Sequence, residues 1–90
     1  MARPVDTLSV PTGKGALINA SLWENEVEQE NQRYTTYSVS IEKRYRDGDT
    51  WKTAKSFKAH ELLQVAYIAT EAYKRVLQLR QQRDRQQFVA

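Results

Sequence analysis

Arg33–Arg46 reads RYTTYSVSIEKRYR, and the two-residue rhythm in this stretch decides the fold. Its odd positions give Tyr37, Val39, Ile41 and Tyr45, and its even positions give Tyr34, Thr36, Ser38, Ser40, Glu42 and Arg44. Such alternation sets apolar groups on one face of a strand and polar groups on the other. Tyr, Thr, Val and Ile also suit a pleated sheet, so period and propensity agree. Asp47-Gly48 follows, and glycine can take positive φ there, which predicts a tight turn and an antiparallel partner downstream.

That partner is Thr50–Lys58, and its register has two solutions. A two-residue turn at Asp47-Gly48 pairs Arg46 with Asp49 and sets Trp51 and Phe57 on the face of Ser38 and Arg44. A three-residue turn, Asp47-Gly48-Asp49, pairs Arg46 with Thr50 and sets both aromatics beside Val39 and Ile41. One residue of slip exchanges the faces. The three-residue turn is preferred, because Phe57 stands where the chain enters the helix and would cap the core there.

Upstream, Ala16, Ile18, Ala20 and Leu22 share one face of a first strand, with Leu17, Asn19, Ser21 and Trp23 on the other. The segment ENEVEQENQ (24–32) holds four acids and no base, and suits a solvated loop or splayed hairpin tip. Residues 1–14 carry both prolines without a sustained period and read as a flexible leader. VDTLSV (5–10) is where a fourth strand would lie.

Downstream of Ala59 the period changes. Leu62, Val65, Ala66, Ala69, Ala72, Tyr73 and Val76 recur at spacings of three and four, and Leu63, Ile68 and Leu77 widen the stripe. This predicts one helix over 59–85 with Ser56 available as a cap. After Leu79 the stripe stops, and RQQRDRQQ (80–87) reads as a polar, fraying extension. The expected organisation is a leader (1–14), one domain (15–80) and a polar basic tail (81–90).

Ninety residues leave room for one domain with a thin core, so dimerisation is expected. The net charge is +3, with 28% charged residues, a mild basic bias. Its distribution is uneven: residues 1–30 carry two bases against five acids, and residues 31–90 carry twelve against six. The chain has no cysteine, which excludes disulfides and thiolate metal sites and fits a reducing cytosol. No apolar run approaches the ~20 residues of a membrane span, and the N-terminus lacks a signal-peptide core. A cytoplasmic bacterial or phage-type protein is expected.

No catalytic set is visible. His60 is the only histidine and has no cysteine to work with, so it reads as a solvated first-turn residue. Glu24, Glu26, Glu28 and Glu30 lack the glycine and mixed oxygen spacing of a calcium loop. Gly13-Lys14-Gly15 has the wrong spacing for a phosphate loop. We expect no enzyme, metal, cofactor or small-molecule substrate.

The sheet face away from the helix carries the candidate site. Under the preferred register it presents Asn19, Ser21 and Trp23, then Ser38, Ser40 and Arg44, then Lys52, Ser56 and Lys58. Cations to track phosphates, a ring to stack on a base and small hydroxyls that allow close approach are what single-stranded nucleic acid requires. An ordinary wet sheet face has similar residues. A second basic cluster, Lys74, Arg75, Arg80, Arg83 and Arg85, reads chiefly as a complement to the helix dipole.

The runs INASLWENE (18–26) and YSVSIEKRYRDGDTWKTAKSF (37–57), followed by a Leu- and Ala-rich helix, resemble a small family of bacterial and phage proteins whose activity is not settled. The resemblance covers about residues 15–79, and Leu22-Trp23-x-Asn25-Glu26 is its most distinctive part. In architecture, strands followed by one helix resemble the single-stranded-DNA-binding transcriptional-regulator fold of the Whirly, PUR-type and coactivator proteins. That likeness implies a dimer whose sheets meet nucleic acid and whose helices pack the halves together. It is an analogy of fold, with three strands here where four are usual and no contact motif to transfer.

The expectation is therefore an α+β fold: an antiparallel sheet of three to four strands followed by one long C-terminal helix packed on one face. The expected function is binding of single-stranded nucleic acid by a homodimer, as a transcription or replication accessory. Arg44, Lys52 and Lys58 would meet phosphate, Trp23 would stack, and Asn19, Ser38, Ser40 and Ser56 would add polar contacts. The alternative is an accessory module that binds another protein through its sheet edge or helix face.

Overall fold

A computed structural model describes residues 3–13 and 15–88. The fold is α+β, a four-stranded antiparallel sheet with one C-terminal helix packed on one face. The strands β1 (Asp6–Pro11), β2 (Leu17–Gln29), β3 (Gln32–Asp47) and β4 (Thr50–Ala54) lie side by side in chain order. A 3₁₀ turn at Ala59–Glu61 leads into α1 (Leu62–Phe88). Among the described residues no helix is long and apolar enough to cross a membrane.

The alternation in β2 works as its spacing predicts. Ala16, Ile18, Ala20 and Leu22 are buried, the last three against Ile68, Ala72 and Val76 of α1. Ile18, Leu22 and Ile68 are the largest fully buried side chains, and burial of each stabilises the fold by roughly 1.5–3 kcal/mol. Leu8 and Val10 from β1, Ile41 and Tyr37 from β3, and Phe57 pack around this centre.

Four expectations about the strands need correction. The leader at 1–14 contains β1, at the position of the possible fourth strand; Asp6 pairs with Leu22 and Pro11 with Leu17. Pro11 closes this edge strand, where its missing N–H does no harm. The acidic segment 24–32 is strand as far as Gln29, and only Glu30 and Asn31 turn, both at positive φ (53° and 65°). Two positive φ values make the turn whose twist matches antiparallel strands. The register of β4 is neither of the two considered: Arg46 pairs with Trp51 and Asp47 with Thr50, around Gly48-Asp49. Gly48 takes φ 65°, as the first central residue of a II′ turn does. Lastly, β4 ends at Ala54 rather than Lys58, so Phe57 reaches the core although Trp51 does not.

The helix is rotated from the expected stripe. Ile68 is at the centre of the packed row with Val65, Ala72, Val76 and Leu79, while Leu62, Ala66, Ala69 and Tyr73 are exposed. Helical structure also continues through the expected fraying tail as far as Phe88. Ser56 does not cap the helix. Glu61 does so from within the first turn: its Oε1 accepts from the Lys58 backbone N–H at 2.8 Å and from Lys43 Nζ at 2.9 Å. The Lys58 N–H first, and Lys43 second, hold the Glu61 carboxyl below its usual pKa. This pair fastens the start of the helix to β3.

At the far end Arg83 bonds to Glu24 of β2, and Arg75 to Asp6 of β1. Glu24, and then Tyr37, raise the proton affinity of Arg83 above its ordinary value. The helix thus runs along β2, covering β1 and β2, meeting β3 in part and leaving β4 uncovered.

Candidate nucleic-acid interface

The pairing registers determine what the open face displays. Residues directly opposite in an antiparallel ladder share a face. Trp23 lies opposite Ser38, Ser21 opposite Ser40, and Leu17 opposite Arg44. Arg44 in turn lies opposite Thr53, and Arg46 opposite Trp51. On the other edge Ser9 lies opposite Asn19, and Thr7 opposite Ser21. Both tryptophans, both arginines and a field of small hydroxyls therefore share one side of the sheet.

Side-chain hydrogen bonds hold this face in place. Trp23 Nε1 donates to Ser40 Oγ at 3.1 Å, which ties the indole to β3 by its edge. Asn25 Nδ2 donates to Ser38 Oγ at 3.2 Å. Ser9 Oγ donates to Asn19 Oδ1 at 2.7 Å. The Arg44 guanidinium carbon lies 6.0 Å from the centre of the Trp51 ring, at the limit of a cation–π contact.

Of the eight residues expected at the site, Asn19, Trp23, Ser38, Ser40 and Arg44 are brought together here. Lys52, Ser56 and Lys58 are not. Lys52 lies opposite Tyr45 on the helix side of the sheet, and its Nζ pairs with Asp47 at 2.9 Å. The one-residue change of register sends it there and brings Trp51 to the open face in exchange. Ser56 and Lys58 follow the end of β4, where they line a hollow of about 590 Å3 with Lys43, Tyr45 and Glu61. His60, in the 3₁₀ turn, borders the same hollow and is exposed.

Trp51, Thr53, Arg46, Thr7 and Ser9 extend the site beyond those eight. The signal for Trp51 is the dipeptide Gly48-Asp49, a II′ pattern one position after the Asp-Gly that draws the eye.

Three of the four acids of the first hairpin occupy the other side, and the fourth, Glu30, lies in the turn. Glu24 pairs with Tyr37, and Glu26 and Glu28 pair with Thr35 and Arg33, in the same alternate set as Leu22. Glu42 is then the one carboxylate among the strand residues of the open face. The basic cluster of the helix meets these and neighbouring acids: Lys74 pairs with Glu71 at 3.1 Å, Arg75 with Asp6 and Arg83 with Glu24. Arg80 borders a cleft with Glu26, Arg33 and Tyr34. Lys14 and the Arg85 side chain lie outside the described residues.

No protein-family model, no curated protein and no solved structure matches the chain.

Proposed function

We propose that this chain is a sheet-face binding module without catalytic activity of its own. Its ligand on this reading is single-stranded nucleic acid, taken across the open face by a homodimer in the cytoplasm, as a transcription or replication accessory. The observation that carries the proposal is the separation of charge and rings between the two faces. Trp23, Trp51, Arg44 and Arg46 stand on the open side, and Glu24, Glu26 and Glu28 stand on the other. A strand of nucleic acid crossing the open face meets stacking platforms, cations and small hydroxyls, without the repulsion that these three glutamates would cause there.

Fluorescence anisotropy of a labelled ten-nucleotide strand tests this at low and moderate salt. Micromolar binding that weakens steeply with salt is the expected result. No binding in low salt overturns the proposal.

On this reading the second copy docks on the helix side. There α1 leaves β4 uncovered, Val39 is 39% exposed, and Leu62, Tyr73 and Leu77 stand in a row on the outer flank of the helix. The accessible surface of 7223 Å2 exceeds by roughly 1,800 Å2 the value of about 5,400 Å2 for a compact chain of this mass. Part of that excess belongs to the projecting hairpin and helix end. A stable interface takes ~800 Å2 from each partner, which is less than that excess. Sedimentation velocity should give twice the chain mass, with Tyr73→Glu giving the single mass. A monomer that instead sediments with a different protein from nuclease-treated extract would favour the accessory-module alternative.

A further inference from the structure

All four strands contribute to one hollow on the open face, about 180 Å3 in volume and lined by Ser9, Leu17, Asn19, Arg44 and Trp51. It is smaller than the 300–1,000 Å3 of pockets that enclose whole cofactors or drug-sized ligands, and its scale suits one flat heterocycle. We propose that it is a nucleobase socket selective for bases that present carbonyl oxygens, thymine, uracil and guanine, over adenine. The inference rests on the nucleic-acid reading above and adds a base preference to it.

The chemistry of the walls sets that preference. Trp51 supplies an indole, 46% exposed and therefore available to stack, with Arg44 beside it. Leu17 supplies an apolar wall. The polar groups are biased toward donation. Ser9 gives its hydroxyl proton to Asn19 Oδ1, which engages the acceptor end of the amide and leaves the Nδ2 hydrogens to meet a ligand. The Arg44 guanidinium carries only donors. Asn19 Nδ2 and Arg44 offer only donors while the Ser9 oxygen keeps its lone pairs, a balance that favours a base edge that accepts, and the exocyclic amino group of adenine puts a donor where thymine and guanine have oxygen. Glu42, opposite Asn19 in the ladder, does not border the hollow.

The chain has two tryptophans, so Trp23→Phe leaves Trp51 as the sole indole reporter. That variant is titrated with ten-nucleotide thymidine and deoxyadenosine strands, following Trp51 emission and the anisotropy of a labelled strand together. The socket predicts quenching by the thymidine strand and about five- to tenfold weaker binding of the deoxyadenosine strand. Asn19→Ala in the same background should bring the two affinities to within about twofold while leaving the salt dependence of thymidine binding in place. Binding by anisotropy with unmoved Trp51 emission overturns the socket alone, as does a thymidine preference that survives Asn19→Ala. Absence of binding of either strand by the unsubstituted chain, followed by anisotropy alongside, overturns the nucleic-acid reading, and the socket with it.

Discussion

Lys43 Nζ stands 2.9 Å from Glu61 Oε1, and the same oxygen accepts the Lys58 backbone N–H at 2.8 Å. Both groups are largely withdrawn from water, with 11% and 5% of their side chains exposed. One carboxylate thus fastens the helix start to the third strand.

Glu61 is depressed below its ordinary value, so its contribution to stability is fully present above the unfolded-state pKa of about 4.3 and is lost as pH falls through the folded value. Urea unfolding midpoints should be level from pH 7 to about 5 and fall below pH 4. Glu61→Gln should lower the midpoint at pH 7 and reduce the acid-side fall. If wild type and variant differ by the same amount at pH 3 and pH 7, the clasp does not titrate as described.

The rotation of α1 is open to a direct comparison. Ile68 is 1% exposed and Leu63 is 81% exposed, though both belong to the apolar pattern of the helix. Ile68→Ala should cost about 3 kcal/mol of unfolding free energy, and Leu63→Ala about 0.5 kcal/mol or less. Equal costs in chemical denaturation would contradict this packing.

Glu30 and Asn31 hold positive φ without being glycine, a conformation that costs an ordinary L-residue about 1–2 kcal/mol. Replacing the pair by Asn-Gly, with Glu30→Asn and Asn31→Gly, relieves that strain. Thermal unfolding should shift upward by about 4–8 °C, the equivalent of roughly 1 kcal/mol in a domain of this size. An unchanged or lowered midpoint would argue against the tight turn.

Glu42 is the carboxylate on the open face, and a phosphate passing about 8 Å away feels it through solvent. Glu42→Gln should tighten binding of a single strand roughly twofold, the worth of about 0.5 kcal/mol of repulsion in water. Glu26→Gln, on the other face, should leave affinity within error. The comparison is made by anisotropy at low salt, and a larger gain from Glu26 would mean that the strand lies on the helix side.

Much of the fold is legible in residue spacing. The row Ala16, Ile18, Ala20, Leu22 and the alternation in Arg33–Arg46 name the buried face of two strands, because side chains in a strand change sides at every residue. The shared face of five candidate residues, Asn19, Trp23, Ser38, Ser40 and Arg44, follows from that parity alone. The same parity continues through Trp23, Asn25 and Val27 against Glu24, Glu26 and Glu28, and the density of acids disguises it as a loop. Lys52 and Trp51 are less tractable. Their faces depend on a turn that Asp47, Gly48 and Asp49 can close in more than one register, and each slip of one residue exchanges them.

By itself, then, the sequence determined an antiparallel sheet followed by a helix, and which rows of the two central strands are apolar, since both follow from local periodicity. The tertiary structure alone decided the register of β4 and the rotation of α1. The helix carries two apolar rows at the same spacing, one through Ile68 and Ala72 and one through Ala69 and Tyr73. Only packing against Ile18, Ala20 and Leu22 selects the first. A period states that a face exists, but contact with a partner surface chooses which face is buried, because burial free energy depends on the area both sides remove from water together.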